Sequence, residues 1–218
     1  MTTLGKFITL EGGEGAGKTT GRGYIGEFLR NQGFTVLETR EPGGTEVSEA
    51  IRHILLDSTL PAMHADTELL LMFAARNEHL QQKIIPALRA GSWVVCDRFT
   101  DATYAYQGYG RGLDQDRIAS LESWVQGSLR PDYTFLFDID VHLGMQRVKA
   151  RSQQLAISAD RFEQEKIEFF EKIRLGYLMR AKEFPQQYRL VDASKDLQEV
   201  QAQLNFLLTA ILASDGAH

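Results

Sequence analysis

One cysteine, Cys96, in 218 residues leaves nothing for an intramolecular disulfide to join, so cross-links do not hold this chain together. It lies in the apolar run Trp93–Val94–Val95–Cys96, with no His or second Cys at catalytic or zinc spacing, and reads as a small buried hydrophobe. The histidines, His53, His64, His79, His142 and His218, fall at no metal-ligand spacing, so no bound transition metal is expected. Nowhere do about 18 apolar residues run uninterrupted, as a bilayer span requires, and the start has no basic segment before a long apolar stretch. A soluble, unexported protein of the reducing cytoplasm is expected, with no membrane partner. Basic residues are the minority, 24 against 29 acidic for a net charge of −5, which speaks against a nucleic-acid surface. With no repeat, no low-complexity tract and no Pro/Ser linker, residues 1–218 are expected to form one domain, which at this length buries roughly 70% of its unfolded surface.

What is present is alternation. Short β-type runs at Lys6–Glu11, Thr35–Arg40, Trp93–Asp97, Tyr133–Asp138 and Tyr188–Asp192 are separated by helical spacing. The helical stretches are Gly17–Gln32, Val47–Leu56, Asp66–Arg89, Leu113–Gln126, His142–Ser152, Phe162–Phe184 and Asp196–Ala213. Parallel strands need crossovers, and these crossovers read as helices. The sequence therefore predicts a three-layer α/β/α fold around a five-stranded parallel sheet, with ligands at the carboxyl ends of the strands.

Just past the first predicted strand stands Gly12-Gly13-Glu14-Gly15-Ala16-Gly17-Lys18-Thr19, the spacing of a P-loop, with a helix directly after it. Glycines let successive backbone N–H groups face a phosphate, and the helix N-terminus adds partial positive charge. Lys18 supplies a cation for the β- and γ-phosphates, and the Thr19 hydroxyl is placed to ligate Mg²⁺. An ordinary glycine-rich turn with an exposed lysine is the competing reading. A P-loop leaves the task open. The chain has no Asn-Lys-x-Asp guanine reader and no Asp-x-x-Gly switch, and it is short for a remodelling ATPase. A small kinase instead needs a second anionic pocket facing the γ-phosphate and a cover that excludes water.

Those needs single out Asp97-Arg98-Phe99-Thr100-Asp101-Ala102-Thr103-Tyr104-Ala105-Tyr106-Gln107-Gly108, which follows the third strand. With Thr39-Arg40-Glu41-Pro42-Gly43-Gly44-Thr45, the run Leu71-Met72-Phe73-Ala74-Ala75-Arg76 and the acid inside the P-loop, the chain resembles the bacterial thymidylate kinases. The resemblance spans Lys6 to about Ser194. It implies transfer of the γ-phosphoryl of ATP to dTMP, giving dTDP and ADP with Mg²⁺, in a cytoplasmic homodimer joined through apolar helix faces such as Asp66–Arg89.

By that resemblance residues 12–19 cradle ATP, and Thr19 and Asp97 stand at the metal. Arg98 and Arg76 hold the dTMP phosphate with Arg52 nearby. Phe73 stacks on thymine, Thr103 and Gln107 read the base edge, and Tyr106 stands where a ribose 2′-hydroxyl would go. Glu14 sits near the sugar 3′-hydroxyl, and Glu41 near the substrate phosphate and metal waters. The plainer alternatives stay open: a core aromatic for Phe73, structural ion pairs for Arg76 and Arg98, and ordinary helix positions for Thr103, Tyr106 and Gln107.

Residues 147–163 read as a helix end, a polar loop and a new helix, and resemble the family's lid, expected over about 150–162. The variable P-loop positions Gly13, Glu14, Gly15 and Ala16 hold no basic residue, so the transition-state charge must be met from elsewhere. Arg151 is the first candidate and Arg161 the second, against solvated loop arginines. Asp66-Thr67-Glu68 reads as capping and dipole compensation for the long helix. Two rivals remain: a P-loop kinase for another nucleoside monophosphate or a deoxynucleoside, and a nucleotide-dependent switch or assembly ATPase.

Overall fold

A strand that is hydrophobic on both faces belongs in the middle of a parallel sheet, because helices must cover both sides. The computed structural model describes residues 4–155 and 160–215, and among them are five strands: β1 Phe7–Gly12, β2 Val36–Arg40, β3 Trp93–Asp97, β4 Tyr133–Asp138 and β5 Tyr188–Asp192. They form one sheet in the order β2-β3-β1-β4-β5, with every neighbouring pair parallel. β1 and β3 are buried throughout, whereas the edges β2 and β5 are only partly so. The predicted five-stranded parallel sheet is the observed one, and each strand starts and ends within one residue of its expected place.

Side chains alternate across the sheet. Ile8 and Leu10 of β1 and Phe135 and Phe137 of β4 point to one layer, where they meet Ile25 and Leu29 of α1 (Lys18–Asn31) and Leu204 and Leu208 of α9 (Leu197–Asp215). Their neighbours point to the other layer. There Phe7, Val94 and Cys96 meet Leu80, Ile84 and Leu88, while Leu136 meets Phe170 and Ile173 of α8 (Ile167–Glu183). Each such fully buried aliphatic or aromatic side chain contributes about 1.5–3 kcal/mol. Cys96 is in this core, as expected.

Between β2 and β3 lie α2 (Glu46–Leu56) and α3 (Ala65–His79). The helix predicted over Asp66–Arg89 is not uniform: α3 passes through a π-helical stretch, Leu80–Ile84, into α4 (Ile85–Arg89). Pro86 supplies the reason, since its missing N–H and its ring disrupt the α-helical ladder one turn before it. The cap also differs from expectation. The His64 side chain accepts from the Asp66 N–H, while Asp66 and Glu68 stand in the first turn as dipole compensation requires, Glu68 being buried there.

A helix absent from the sequence reading follows β3: α5 (Thr100–Thr103) continues as π-helix over Tyr104–Gly110. After α6 (Gln115–Gln126) and β4, α7 (Val141–Leu155) carries the chain toward the expected lid. The α8 helix begins later than predicted, because the Asp160 carboxylate accepts from the Phe162 and Glu163 N–H groups and holds a turn there. Residues 156–159 of the expected lid lie outside the described residues.

Candidate active site

The carboxyl ends of β1, β2 and β3 open into one cleft. At its near end β1 turns into the P-loop through Gly12, whose φ of 138° and whose approach to the Phe137 carbonyl, 2.3 Å from where a Cβ would stand, admit glycine alone. The α1 helix then starts at Gly17 with no side-chain cap, leaving its first N–H groups to face the cleft. Lys18 folds back over the loop and donates to the carbonyls of Gly12 (3.0 Å) and Gly13 (2.7 Å). Burial, reinforced by Arg98, lowers the Lys18 pKa to about 8 against the opposing pull of Glu14 and Asp97. The Thr19 hydroxyl donates to the Asp97 carboxylate at 3.1 Å, so two hard oxygen ligands stand side by side at the end of β3.

Arg98 follows Asp97 with a φ of 70°, a left-handed conformation that costs a non-glycine residue about 1–3 kcal/mol unless its surroundings impose it. They do. Its guanidinium donates to Glu14 at 2.6 Å and reaches the Tyr177 hydroxyl at 3.3 Å, while the Tyr106 hydroxyl donates to the same Glu14 oxygen at 2.7 Å. Burial raises the Glu14 pKa, but Arg98 and Lys18 outweigh it and hold the carboxyl at about 2. The P-loop acid is thus a fixed negative charge with a guanidinium stacked 4.9 Å above the Tyr106 ring.

A second network begins past β2. Glu41 accepts from Arg76 at 2.7 Å and from His79 at 3.1 Å, and the other ring nitrogen of His79 meets the Thr39 hydroxyl at 2.7 Å. Burial raises the Glu41 pKa, yet Arg76 and His79 bring it below the ordinary carboxylate value. Arg76 also donates to the Phe99 carbonyl and to Thr103, which leaves its buried Nη1 as a donor without a partner among the described residues. A donor so placed on a cleft wall suits an oxygen of a bound molecule. Arg52 lines the same wall, donating to the Pro42 carbonyl at 2.9 Å.

The far end of the cleft is walled by the helix after β3. Thr103, Tyr106 and Gln107 all face it, with Gln107 buried and its amide nitrogen on Glu68 at 2.7 Å. Of the residues predicted from sequence, Glu14 to Thr19, Glu41, Arg52, Arg76, Asp97, Arg98, Thr103, Tyr106, Gln107 and Arg151 line one cleft. Gly12 and Gly13 stand behind the loop, where their carbonyls hold Lys18.

Two predicted side chains, those of Phe73 and Arg161, do not line it either. Phe73 turns into an interior cluster with Leu69, Tyr104 and Ile118, and Met72 takes the cleft position expected of it. One residue of helix is a rotation of about 100°, enough to exchange wall for core. Arg161 is withdrawn as well: it donates to the Leu55 carbonyl at 2.8 Å and to Glu68 at 2.7 Å, a strap from the lid segment to α2 and α3. Arg151 is the lid-side cation that reaches the cleft, more than half exposed and paired with Glu163 at 3.2 Å. Burial, with Asp160 adding, raises the Glu163 pKa.

Sequence reading missed Met72, Glu68 and His79. A signal for the last two was present: an acid before and a histidine beyond the apolar run from Leu69 to Ala75, on either side of Arg76.

Comparison with known proteins agrees with this geometry. A protein-family model described as thymidylate kinase matches residues 10–204. The chain is 58% identical to a thymidylate kinase of Ectopseudomonas mendocina and 58% identical to one of Pseudomonas savastanoi, each over 208 residues, 95% of this chain and 97% of the relative. A crystal structure of the thymidylate kinase from Ehrlichia chaffeensis superposes with a TM-score of 0.75 at 32% identity, covering 94% of this chain and 99% of the other.

Proposed function

Because the chain belongs to the thymidylate kinase family, we propose how its residues divide the transfer of the ATP γ-phosphoryl to dTMP that yields dTDP and ADP. The observation that carries this reading is the continuity of the cleft from the P-loop to Gln107. A switch or assembly ATPase has no use for such a pocket beside its γ-phosphate.

The triphosphate of ATP lies on the loop from Gly12 to Thr19, held by backbone N–H groups and by Lys18 once phosphate oxygens replace its loop carbonyls. The hydroxyl of Thr19 and the carboxylate of Asp97 suit Mg²⁺, a hard cation that otherwise takes water and phosphate oxygens, and whose chemistry when bound is to neutralise charge between the β- and γ-phosphates. At the other end of the transfer Arg98 takes the dTMP phosphate, with Arg52 and Arg76 completing the cationic wall and Glu41 holding Arg76 in place. Glu14 meets the sugar 3′-hydroxyl, and Tyr106, anchored on Glu14, fills the space a 2′-hydroxyl would need. Thr103 and Gln107 read the thymine edge while Met72 covers its face.

The two phosphates are brought in line by this lining, so catalysis is positioning and charge stabilisation with no covalent intermediate. Arg151 supplies the late charge: exposed and, among the described residues, held by Glu163, it can swing to the phosphoryl group as it transfers. The enzyme works in the cytoplasm as a homodimer, for which the exposed Leu70 of α3 and Trp124 of α6 offer an apolar face.

Coupled measurement of ADP release with dTMP, dUMP, UMP, CMP, AMP and GMP tests the reading. The expectation is dTMP first, dUMP lower by about 10-fold for one methyl in an apolar pocket, and the others far below. CMP or UMP as best substrate would move the chain to another monophosphate specificity.

A further inference from the structure

Glu68 does not line the cleft, yet it holds Gln107, which does. It is fully buried in α3, in a helix whose neighbouring residues Leu69 to Phe73 are apolar, and a lone buried carboxylate there would be costly. Three side chains compensate it. Gln107 donates its amide nitrogen at 2.7 Å, Arg161 donates at 2.7 Å, and Arg111 approaches at 3.4 Å.

A carboxylate accepts and does not donate, so only the NH₂ of Gln107 can face it. The amide oxygen is then turned away from Glu68, on a side chain that lines the cleft. The geometry points to Glu68 as the positioning residue that sets base specificity, by locking the Gln107 amide with its acceptor outward; this rests on the proposal that Gln107 reads the base. Thymine offers an N3–H donor to that oxygen. Cytosine offers an N3 lone pair, so acceptor meets acceptor and both groups lose their solvation without a bond.

Arg161 extends the device to the lid. Its guanidinium holds the second carboxylate oxygen of Glu68, its Nε holds the Leu55 carbonyl, and its own N–H holds the Leu56 carbonyl. The carboxylate is therefore gripped from both sides, and since both of its oxygens only accept, it offers a flipped amide no donor.

The test compares kcat/KM for dTMP and dCMP, which differ only in the base, in the full-length wild type, Glu68→Gln and Glu68→Asp. A glutamine at 68 can donate to the Gln107 oxygen and free the Gln107 nitrogen to face the cleft. The dTMP-to-dCMP ratio is expected to fall at least about 10-fold in Glu68→Gln, with the dCMP value itself rising, a gain that mere damage does not produce. Glu68→Asp, still unable to donate, is expected to keep the wild-type ratio even where both rates drop. A folded Glu68→Gln whose ratio stays within about twofold of wild type, or which loses both substrates equally, overturns the proposal. If Glu68→Gln does not fold, the wild type is read by NMR: the Gln107 NH₂ protons, assigned by their loss in Gln107→Ala, must show Overhauser contacts to the Arg161 or Arg111 guanidinium protons. Their absence overturns it too. A wild type that phosphorylates neither nucleotide defeats the proposed function, while the NMR reading still decides the amide orientation.

Discussion

The floor of the cleft and its rim present positive charge in opposite ways, and in the proposed transfer both face phosphate. On the floor Arg98 is mostly covered, set in a left-handed backbone conformation and clamped between Glu14 and Tyr177. On the rim Arg151 is mostly exposed and held by one carboxylate, itself with a raised pKa. A clamped cation costs little further ordering when substrate arrives, and so it serves ground-state holding. A loose one loses more freedom on engagement, which is tolerable only if the contact is made chiefly in the transition state.

Lys18 is the hardest test of the floor. Lys18→Ala is expected to reduce turnover by at least ~10²-fold in a protein that remains folded, because it removes the cation aimed at developing phosphoryl charge. Near-normal turnover would end the assignment of the loop. The rim should break differently: Arg151→Ala is expected to lower kcat about 10- to 100-fold with the KM for dTMP nearly unchanged, measured by steady-state kinetics. An equal rise in KM with kcat intact would move Arg151 to the floor's role.

The two regions should also separate by pH. With Glu14 held at about 2 and Glu163 raised above 4.5, NMR titration of the carboxyl groups should find Glu163 protonating first. Glu14 lies below its unfolded value of 4.5, so its stabilisation is present above 4.5 and is lost as pH falls toward 2. Lys18 runs the other way. Its folded value of about 8 lies below the free 10.5, so its contribution to stability grows as pH rises from about 8 to 10.5, while kcat/KM for ATP in the unliganded enzyme falls above about 8.

The smallest effects concern Met72 and Phe73, neighbours in sequence on opposite sides of the wall. Phe73→Leu is expected to cost about 1 kcal/mol in thermal or denaturant unfolding and leave the KM for dTMP alone. Met72→Ala should raise that KM several-fold with a smaller loss of stability. Reversal of the pair would restore Phe73 to the substrate.

That reversal marks where sequence ceases to be legible. Strands were readable because short runs rich in Val, Ile, Leu, Phe and Thr recur between helical stretches, and the P-loop because its glycines are demanded by backbone geometry that few other residues satisfy. Phe73 and Met72 could not be ordered, since spacings of three and four from Arg76 both fall on one helical face and only the packed neighbours decide which is inside. The helix over Thr100–Gly110 was hidden for a related reason: its α and π turns shift the period that pattern reading depends on. Arg161 and Arg151 look alike in sequence, and what separates them is a carboxylate at position 68, distant along the chain, which claims one and leaves the other.

Gly15 and Gly144 press together at the other side of the P-loop. A Cβ on Gly15 would stand 2.1 Å from the Gly144 carbonyl oxygen, and one on Gly144 would stand 2.4 Å from that of Glu14. The root of α7 is therefore seated directly on the phosphate loop, and α7 carries Arg151. From Gly144 to Leu155 the helix spans about 16 Å, so a tilt of about 10° at its root sweeps its tip through ~3 Å. Seen as machinery, α7 is a lever with its fulcrum on the loop that holds ATP. A methyl group at either glycine would shift the fulcrum and so re-aim an arginine two helical turns away without touching it.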